Sequence, residues 1–480
     1  MKIAHLTGRV DAFVGEQLER QIVAHHRRRL AKLGHERALS AAHGWATTAS
    51  PPRAGNELEV LLDGAEALAE IADAIESARS SVWLAGWFFS PDFHLRSDSE
   101  MTLRDLLADR AERLDVRMLA WAGAPLPLFH PDRSEVREMR DAFATGTRIR
   151  IELDARERPF HCHHEKLVIV DGEIAFVGGI DLTTYAGNRL DDGEHPARGA
   201  LGWHDAATRI TGPAVADVAA HYRFRWHEVT GERLPETPAP PATGSTELQI
   251  VRTVPEKIYD ALPRGEFSIL ESYLAAFRSA ERLIYLENQF LWSPEIADVL
   301  ADKLENPPDE RFRLLVLLPA KPNNGADDTR GQLGQLAAAA SAAPERFFAC
   351  TLHQRGGDAK PVYVHAKIGI VDDRWLTIGS ANLNEHSLFN DSEVNVVCAE
   401  PEIARTTRLR LWSEHLECSI DDVAGDPAEL IDTRWRPLAE EQLEHRRRGS
   451  PYTHRLHALP NVSRRAAALR GPLSGLLVDG

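Results

Sequence analysis

Apolar positions in this chain alternate between two rhythms. AIESARSSVWLAGWFF, starting at Ala74, carries apolar residues at helical spacing, then a short polar break, then a continuous apolar run. That change of period predicts the end of an amphipathic helix followed by a buried strand. AFRSAERLIYLENQFL, starting at Ala276, repeats the pattern. LDVRMLAWAGAP (114–125) matches FRLLVLLPAKP (312–322), a second hydrophobic strand ending in a proline-bearing loop. HHEKLVIVDGEIAFVGGIDL, from His163, matches VHAKIGIVDDRWLTIGSANL, from Val364, and reads as a hairpin. GPAVADVAAHYRFRWHEV, from Gly212, matches EPEIARTTRLRLWSEHL, from Glu400, as a closing helix. The first copy carries a longer loop around 184–200.

The order helix, strand, strand, hairpin, helix therefore occurs twice. It predicts an α/β fold of two duplicated halves, each a mixed β-sheet flanked by helices, packed with pseudo-two-fold symmetry. A site at their interface would draw equivalent residues from both. The expected boundaries are an N-terminal helical arm and loop (1–56), a first half (57–234), a proline-rich linker (235–246), a second half (247–423) and a C-terminal extension (424–480). The linker, PETPAPPATGST, should be extended and exposed.

Composition narrows the class. The chain has 480 residues, 56 basic and 72 acidic side chains, and a net charge of −16. That charge opposes general nucleic-acid binding, which needs a cationic face. The four cysteines form no CxxC pair and no disulfide framework. No signal-like N-terminus and no run of 18 apolar residues occurs. The expectation is a cytoplasmic protein. Only 8 of the 56 basic residues are lysine, so the place of each lysine is informative.

Two of them fall in one pattern. His164, Lys166 and Asp171 (HEKLVIVD) and His365, Lys367 and Asp372 (HAKIGIVD) both read H-x-K-x4-D. In a strand, residues two apart face the same way, so His and Lys should project together. The Asp closes the strand at a turn and is expected to brace it. Downstream stand Gly178, Gly179 and Asp181 in the first copy, and Gly379, Ser380 and Asn382 in the second. Two imidazoles, two ammonium groups and an amide suit a phosphodiester: donors for its oxygens, one histidine as nucleophile, one as general acid. In HCHHE (161–165) metal ligation is a rival reading, but His161, His163 and Glu165 should face away from His164.

On these motifs the sequence resembles the phospholipase D superfamily, the HKD phosphodiesterases, in its phospholipase D and cardiolipin synthase-like branch. IYLENQF (284–290), GWHDAATRITGPAV (202–215) and AFVGGIDL (175–182) are similar to segments of that branch. The resemblance runs from about residue 57 to about residue 420. It implies hydrolysis or transfer of phosphatidyl groups of glycerophospholipids through a phosphohistidine, with water or an alcohol as acceptor. His164 would be the nucleophile and His365 the acid/base, with Asp171 and Asp372 completing the two motif triads. Lys166, Lys367, Asn382 and Ser380 would bind phosphate, and Asp205 and Glu393 would orient the histidines. The resemblance implies no metal and no cofactor for this chemistry. A cardiolipin synthase-like transferase is the alternative, and a nuclease of the superfamily a further one. The substrate would be met at a membrane surface, by a peripheral, monomeric enzyme, with no nucleic-acid partner.

Other features have bland readings. Glu287, Asn288 and Gln289 either line the pocket or end a strand. The aromatic clusters 87–89 and 290–292 read as core. The HHRRR (25–29) and EHRRRG (444–449) runs read as solvated faces. The tail from Ser463 is either interfacial or docked on the body.

Overall fold

The computed structural model describes residues 2–126, 129–158, 161–185, 189–196, 202–321, 326–355 and 360–459, with side chains for 17 and from 19 onward, except 326–331. The tail from Ser463 lies outside the described residues, as does part of the 184–200 loop. In the N-terminal half the strands are β1 (Arg53–Leu62), β2 (Ser81–Gly86), β3 (Asp115–Trp121), β4 (Arg150–Asp154), β5 (Leu167–Val170), β6 (Ile174–Gly178), β7 (Gly202–His204) and β8 (Ala206–Thr211). In the C-terminal half they are β9 (Thr246–Val254), β10 (Glu266–Phe267), β11 (Leu283–Glu287), β12 (Arg313–Leu317), β13 (Phe347–His353), β14 (Pro361–Val364), β15 (Ile368–Val371), β16 (Trp375–Gly379), β17 (Glu393–Cys398) and β18 (Leu456–Ala458).

Register defines two arrays. One runs β4-β3-β2-β5-β6-β8-β1, with β2, β3 and β4 parallel and the other neighbours antiparallel. The other runs β13-β12-β11-β15-β16-β17-β9, with the same strand directions. They meet where Arg53 and Asn56 of β1 pair with Leu248 and Thr246 of β9. Helices Asp63–Ser77, Leu103–Ala111 and Arg133–Ala144 cover the outer face of the first array. Helices Ser268–Ser279 and Pro294–Glu305 cover that of the second. Between the arrays, a third apolar cluster joins both inner faces to helices Val215–Thr230 and Pro401–His415. Strands buried on both faces have no solvated side, which is why LVIV, IGIV and RLLVL read as unbroken apolar runs.

The linker residues 235–245 have no helix or strand and are mostly exposed. The N-terminal helix, Lys2–Leu33, is less solvated than its HHRRR run suggests. Leu30 is fully buried, His26 Nδ1 lies 2.6 Å from Glu295, and Arg29 pairs with Glu256 at 2.6 Å. The charged run docks because buried carboxylates of the C-terminal half await it. Three of the four cysteines, Cys162, Cys350 and Cys398, are buried.

Asp171 and Asp372, grouped above with the catalytic motifs, stand away from the histidines at the far ends of β5 and β15. Both have a left-handed backbone, φ 55° and 52°. The Asp171 carboxylate accepts from the N–H groups of Arg79, Ser80 and Ser81. Asp372 accepts from those of Glu281, Arg282 and Leu283. Each ties its hairpin turn to the start of a parallel strand, so neither touches the site. Burial works to raise the Asp171 pKa, but these N–H groups hold it below the ordinary value. Asp171→Ala should therefore lower unfolding free energy by about 2 kcal/mol, read by urea titration, while the folded fraction keeps its turnover. A loss of turnover per folded molecule would return Asp171 to the chemistry.

Candidate active site

His164, Lys166, His365 and Lys367 lie in extended segments just before β5 and β15, not within the ladders. The reason is an exchange between halves. His164 N–H donates to the Ser392 carbonyl at 2.9 Å, and His365 N–H to the His204 carbonyl at 2.8 Å. β14 pairs in parallel with β7, so Val364 stands beside His204. Each histidine-bearing segment thus pairs with the opposite half of the chain.

Side chains follow the same exchange. His164 Nδ1 lies 3.0 Å from Glu393 Oε1, and His365 Nδ1 lies 2.6 Å from Asp205 Oδ2. The ring centroids are 6.4 Å apart. With each Nδ1 against a carboxylate, each Nε2 is the ring atom turned away from it. Asp205 and Glu393 are thus histidine-orienting, and each serves the other half's histidine. Lys166 Nζ donates to the His164 carbonyl at 2.6 Å and lies 3.5 Å from Asp181 Oδ1. Lys367 Nζ donates to the His365 carbonyl and, at 3.2 Å, to Gln289 Oε1. Asn382 Nδ2 reaches the same Gln289 oxygen at 3.2 Å. Ser380 points elsewhere: its hydroxyl donates to Glu393 Oε2, which makes it a support for the carboxylate rather than a phosphate ligand. Ser387 Oγ donates to Glu393 Oε1 at 2.6 Å.

The Gly179/Ser380 asymmetry has a steric cause. A Cβ at Gly179 would stand 2.2 Å from Asp205 Oδ1, so only glycine fits beside the shorter carboxylate. The longer Glu393 side chain is met by a serine hydroxyl instead.

Electrostatics poise the pocket for an anion. Burial, then Lys367 and Arg189, hold His365 well below its ordinary pKa. Burial pushes Lys367 down to about 7, against the pull of Asp205. Burial raises Asp205 and lifts Glu393 to about 8. Arg189, absent from the sequence-based set, is 5% exposed and stacks 3.5 Å above the Trp203 ring. Its Nε and Nη1 have no partner among the described residues. Trp203 and Tyr363 flank the His365 ring at 5.0 and 6.3 Å between centroids. The WHD segment offered a signal for Trp203; nothing in the sequence marked Arg189.

The ENQ segment divides. Gln289 lines the pocket, whereas Glu287 is fully buried against His204 and His415. Trp87, Phe89, Phe290, Leu291 and Trp292 are buried, in keeping with the core reading. Of the HCHHE residues, Glu165 pairs with Arg225 and His221, and His163 sits 3.2 Å from Asp154. His161 meets His386 and Asp391, a grouping unexpected from the sequence.

Glu393 generates a pH prediction. Its folded-state pKa, about 8, is raised above the ordinary 4.5. The unfolded chain ionises first, so its contribution to stability is intact below pH 4.5 and is lost as pH rises toward 8. Glu393→Gln should flatten the stability–pH curve across that interval, measured by denaturant titration. An unchanged slope would refute the raised folded-state pKa.

Residues 273–413 match the family model described as cardiolipin synthase, PLD-like domain. Phospholipase D A of Dictyostelium discoideum is 25% identical over 461 residues, covering 76% of this chain and 36% of that protein. Phospholipase D alpha 4 of Arabidopsis thaliana is 25% identical, covering 76% of this chain and 65% of that protein. The chain thus spans between about a third and two thirds of the length of these curated relatives. The crystal structure of phosphatidylserine synthase from Haemophilus influenzae Rd KW20 shares the fold, with a TM-score of 0.52 and 12% identity, over 83% of this chain and 94% of that one. The paired motifs, the matched PLD-like domain and these relatives all indicate the phospholipase D superfamily.

Proposed function

We propose that this protein is a phospholipase D-type phosphodiesterase that hydrolyses or transfers phosphatidyl groups of glycerophospholipids. The observation that carries the reading is the pair of imidazoles, 6.4 Å apart, each held at Nδ1 by a carboxylate of the opposite half. That arrangement suits a double displacement.

In this reading His164 Nε2 attacks phosphorus. The P–O bond to the headgroup breaks as the N–P bond forms, and His365 Nε2–H protonates the leaving alcohol. His365 then takes a proton from water or a second alcohol, whose oxygen attacks phosphorus and releases His164. Lys166, Lys367 and Asn382 hold the phosphoryl oxygens, and Arg189 adds a fourth donor. The depressed pKa values of His365 and Lys367 fit a pocket short of negative charge. An arriving phosphodiester anion supplies that charge and favours their protonated forms. No step here requires a metal.

Both motifs lie on one chain, which supports a monomer with a complete site. No helix among the described residues is long and apolar enough to cross a membrane, which fits peripheral contact with lipid. The net charge of −16 disfavours a nuclease. The match to a cardiolipin synthase-type model keeps the transferase as the second reading.

His164→Ala and His365→Ala should each lower turnover by roughly 10⁴-fold or more. The test is a vesicle panel of phosphatidylcholine, phosphatidylethanolamine and phosphatidylglycerol, with and without added alcohol, read by product mass. Phosphatidic acid or a phosphatidyl-alcohol supports the first reading, and cardiolipin from phosphatidylglycerol supports the second. Intact lipids throughout, or near wild-type rates in either variant, would overturn the proposal.

A further inference from the structure

Outside the histidine pair, a dense group of titratable side chains lies where β1 ends. Asp63, Asp191, Glu287 and Glu414 face His195, His204 and His415 there. All have side chains at most 2% exposed except Glu414, at 13%. The hydrogen bonds assign the protons. His204 places Nδ1 2.9 Å from Asp63 Oδ1 and Nε2 2.7 Å from Glu287 Oε2. Carboxylates only accept, so this ring is an imidazolium that donates twice. His195 has one short contact, Nδ1 to Asp191 Oδ2 at 3.1 Å. That bond places a proton on Nδ1, so Nε2 is the ring atom that can turn a lone pair to a ligand, giving up any proton to the cation.

Nε2 of His195 stands 3.7 Å from Asp63 Oδ2 and 3.5 Å from Glu414 Oε1, too far for hydrogen bonds. All three atoms are buried and have no hydrogen-bond partner among the described residues. Buried donors and acceptors are rarely left so. These separations, 3.5 and 3.7 Å, are close to those of ligand atoms around one ion, since metal–ligand bonds of about 2.0 to 2.2 Å in a tetrahedron put the ligands about 3.3 to 3.6 Å apart. The Asp191–His195 bond is the outer support that metal-binding histidines ordinarily have. We propose that Asp63 Oδ2, His195 Nε2 and Glu414 Oε1 bind one divalent transition-metal ion of the Zn²⁺ or Mn²⁺ kind. His415 Nδ1, also partnerless among the described residues and 3.6 Å from Glu414 Oε1, borders the fourth position.

A route in exists. Glu414 lines a surface cavity of about 540 Å³ whose walls also carry Glu66, Asp192, Glu194 and Glu417. The arginines there, Arg355, Arg410 and Arg455, are ion-paired with Glu417 and Glu66. The ion would be structural. Asp63 N–H donates to the Asp205 carbonyl at 2.8 Å, and Asp205 N–H donates to Asp63 Oδ1 at 3.0 Å. Fixing Asp63 therefore fixes Asp205, the partner of His365. Asp63, in this account, is a positioning residue, and the proposal is independent of which phosphodiester the enzyme cleaves.

The test is metal content of the full chain, stripped with chelator, reloaded with Zn²⁺ or Mn²⁺, desalted and measured by mass spectrometry of the elements. Wild type should hold about one equivalent and melt at a higher temperature after reloading. His195→Gln and Glu414→Gln should each hold under about a tenth of an equivalent and lose the melting shift. His161→Ala, in the separate His161–His386–Asp391 group, should keep the metal. Metal-free wild type with no melting shift for either ion would overturn the proposal. So would metal retained by both site variants, or lost by His161→Ala. The two wild-type measurements decide the matter even if a variant fails to fold.

Discussion

The hydrogen bond from each catalytic-motif histidine to a carboxylate of the opposite half is the constraint on which the rest depends. His164 needs Glu393, and His365 needs Asp205. Neither half can position its own imidazole. The backbone repeats the dependence, since His164 N–H and His365 N–H each donate across to a carbonyl of the other half. The apolar cluster between the two sheets then serves as more than a source of stability. It holds the two halves in the one arrangement that puts the imidazoles 6.4 Å apart.

Burial at that interface sets the electrostatics. Removing Lys367, His365, Asp205 and Glu393 from water shifts every one of them toward its neutral form. A pocket in this state lacks a compensating anion and gains most from one that arrives with its own charge. Arg189, pressed against Trp203 and short of partners among the described residues, extends the same demand. In the function proposed above, recognition and acid–base readiness share one physical source, the low polarity of a buried seam.

Some of this was legible in the residues and some was not. The strands LVIV and IGIV could be read because burial on both faces leaves a continuous apolar signal, and the closing helices because the two copies match. The strands β1, β4, β9 and β13 carry no such signal, being mixed in composition or lacking a distinctive flank. The site histidines and lysines were visible through their spacing. Ser380 was misplaced because its motif position says nothing about whether its hydroxyl turns to ligand or to Glu393. Asp171 and Asp372 sit in the motif yet serve the turn, since a four-residue strand carries them away from the pocket.

The sequence alone determined the doubled motif, the α/β alternation and the scarcity of lysine that singles out Lys166 and Lys367. These are properties of local order and composition. Tertiary structure alone decided which carboxylate serves which histidine, why Gly179 must lack a side chain, and that Arg189 joins the site. It also brought Asp63, His195 and Glu414 together across more than three hundred residues of chain. Contacts between distant segments depend on how sheets pack and which faces meet. A single chain's spacing carries no record of that.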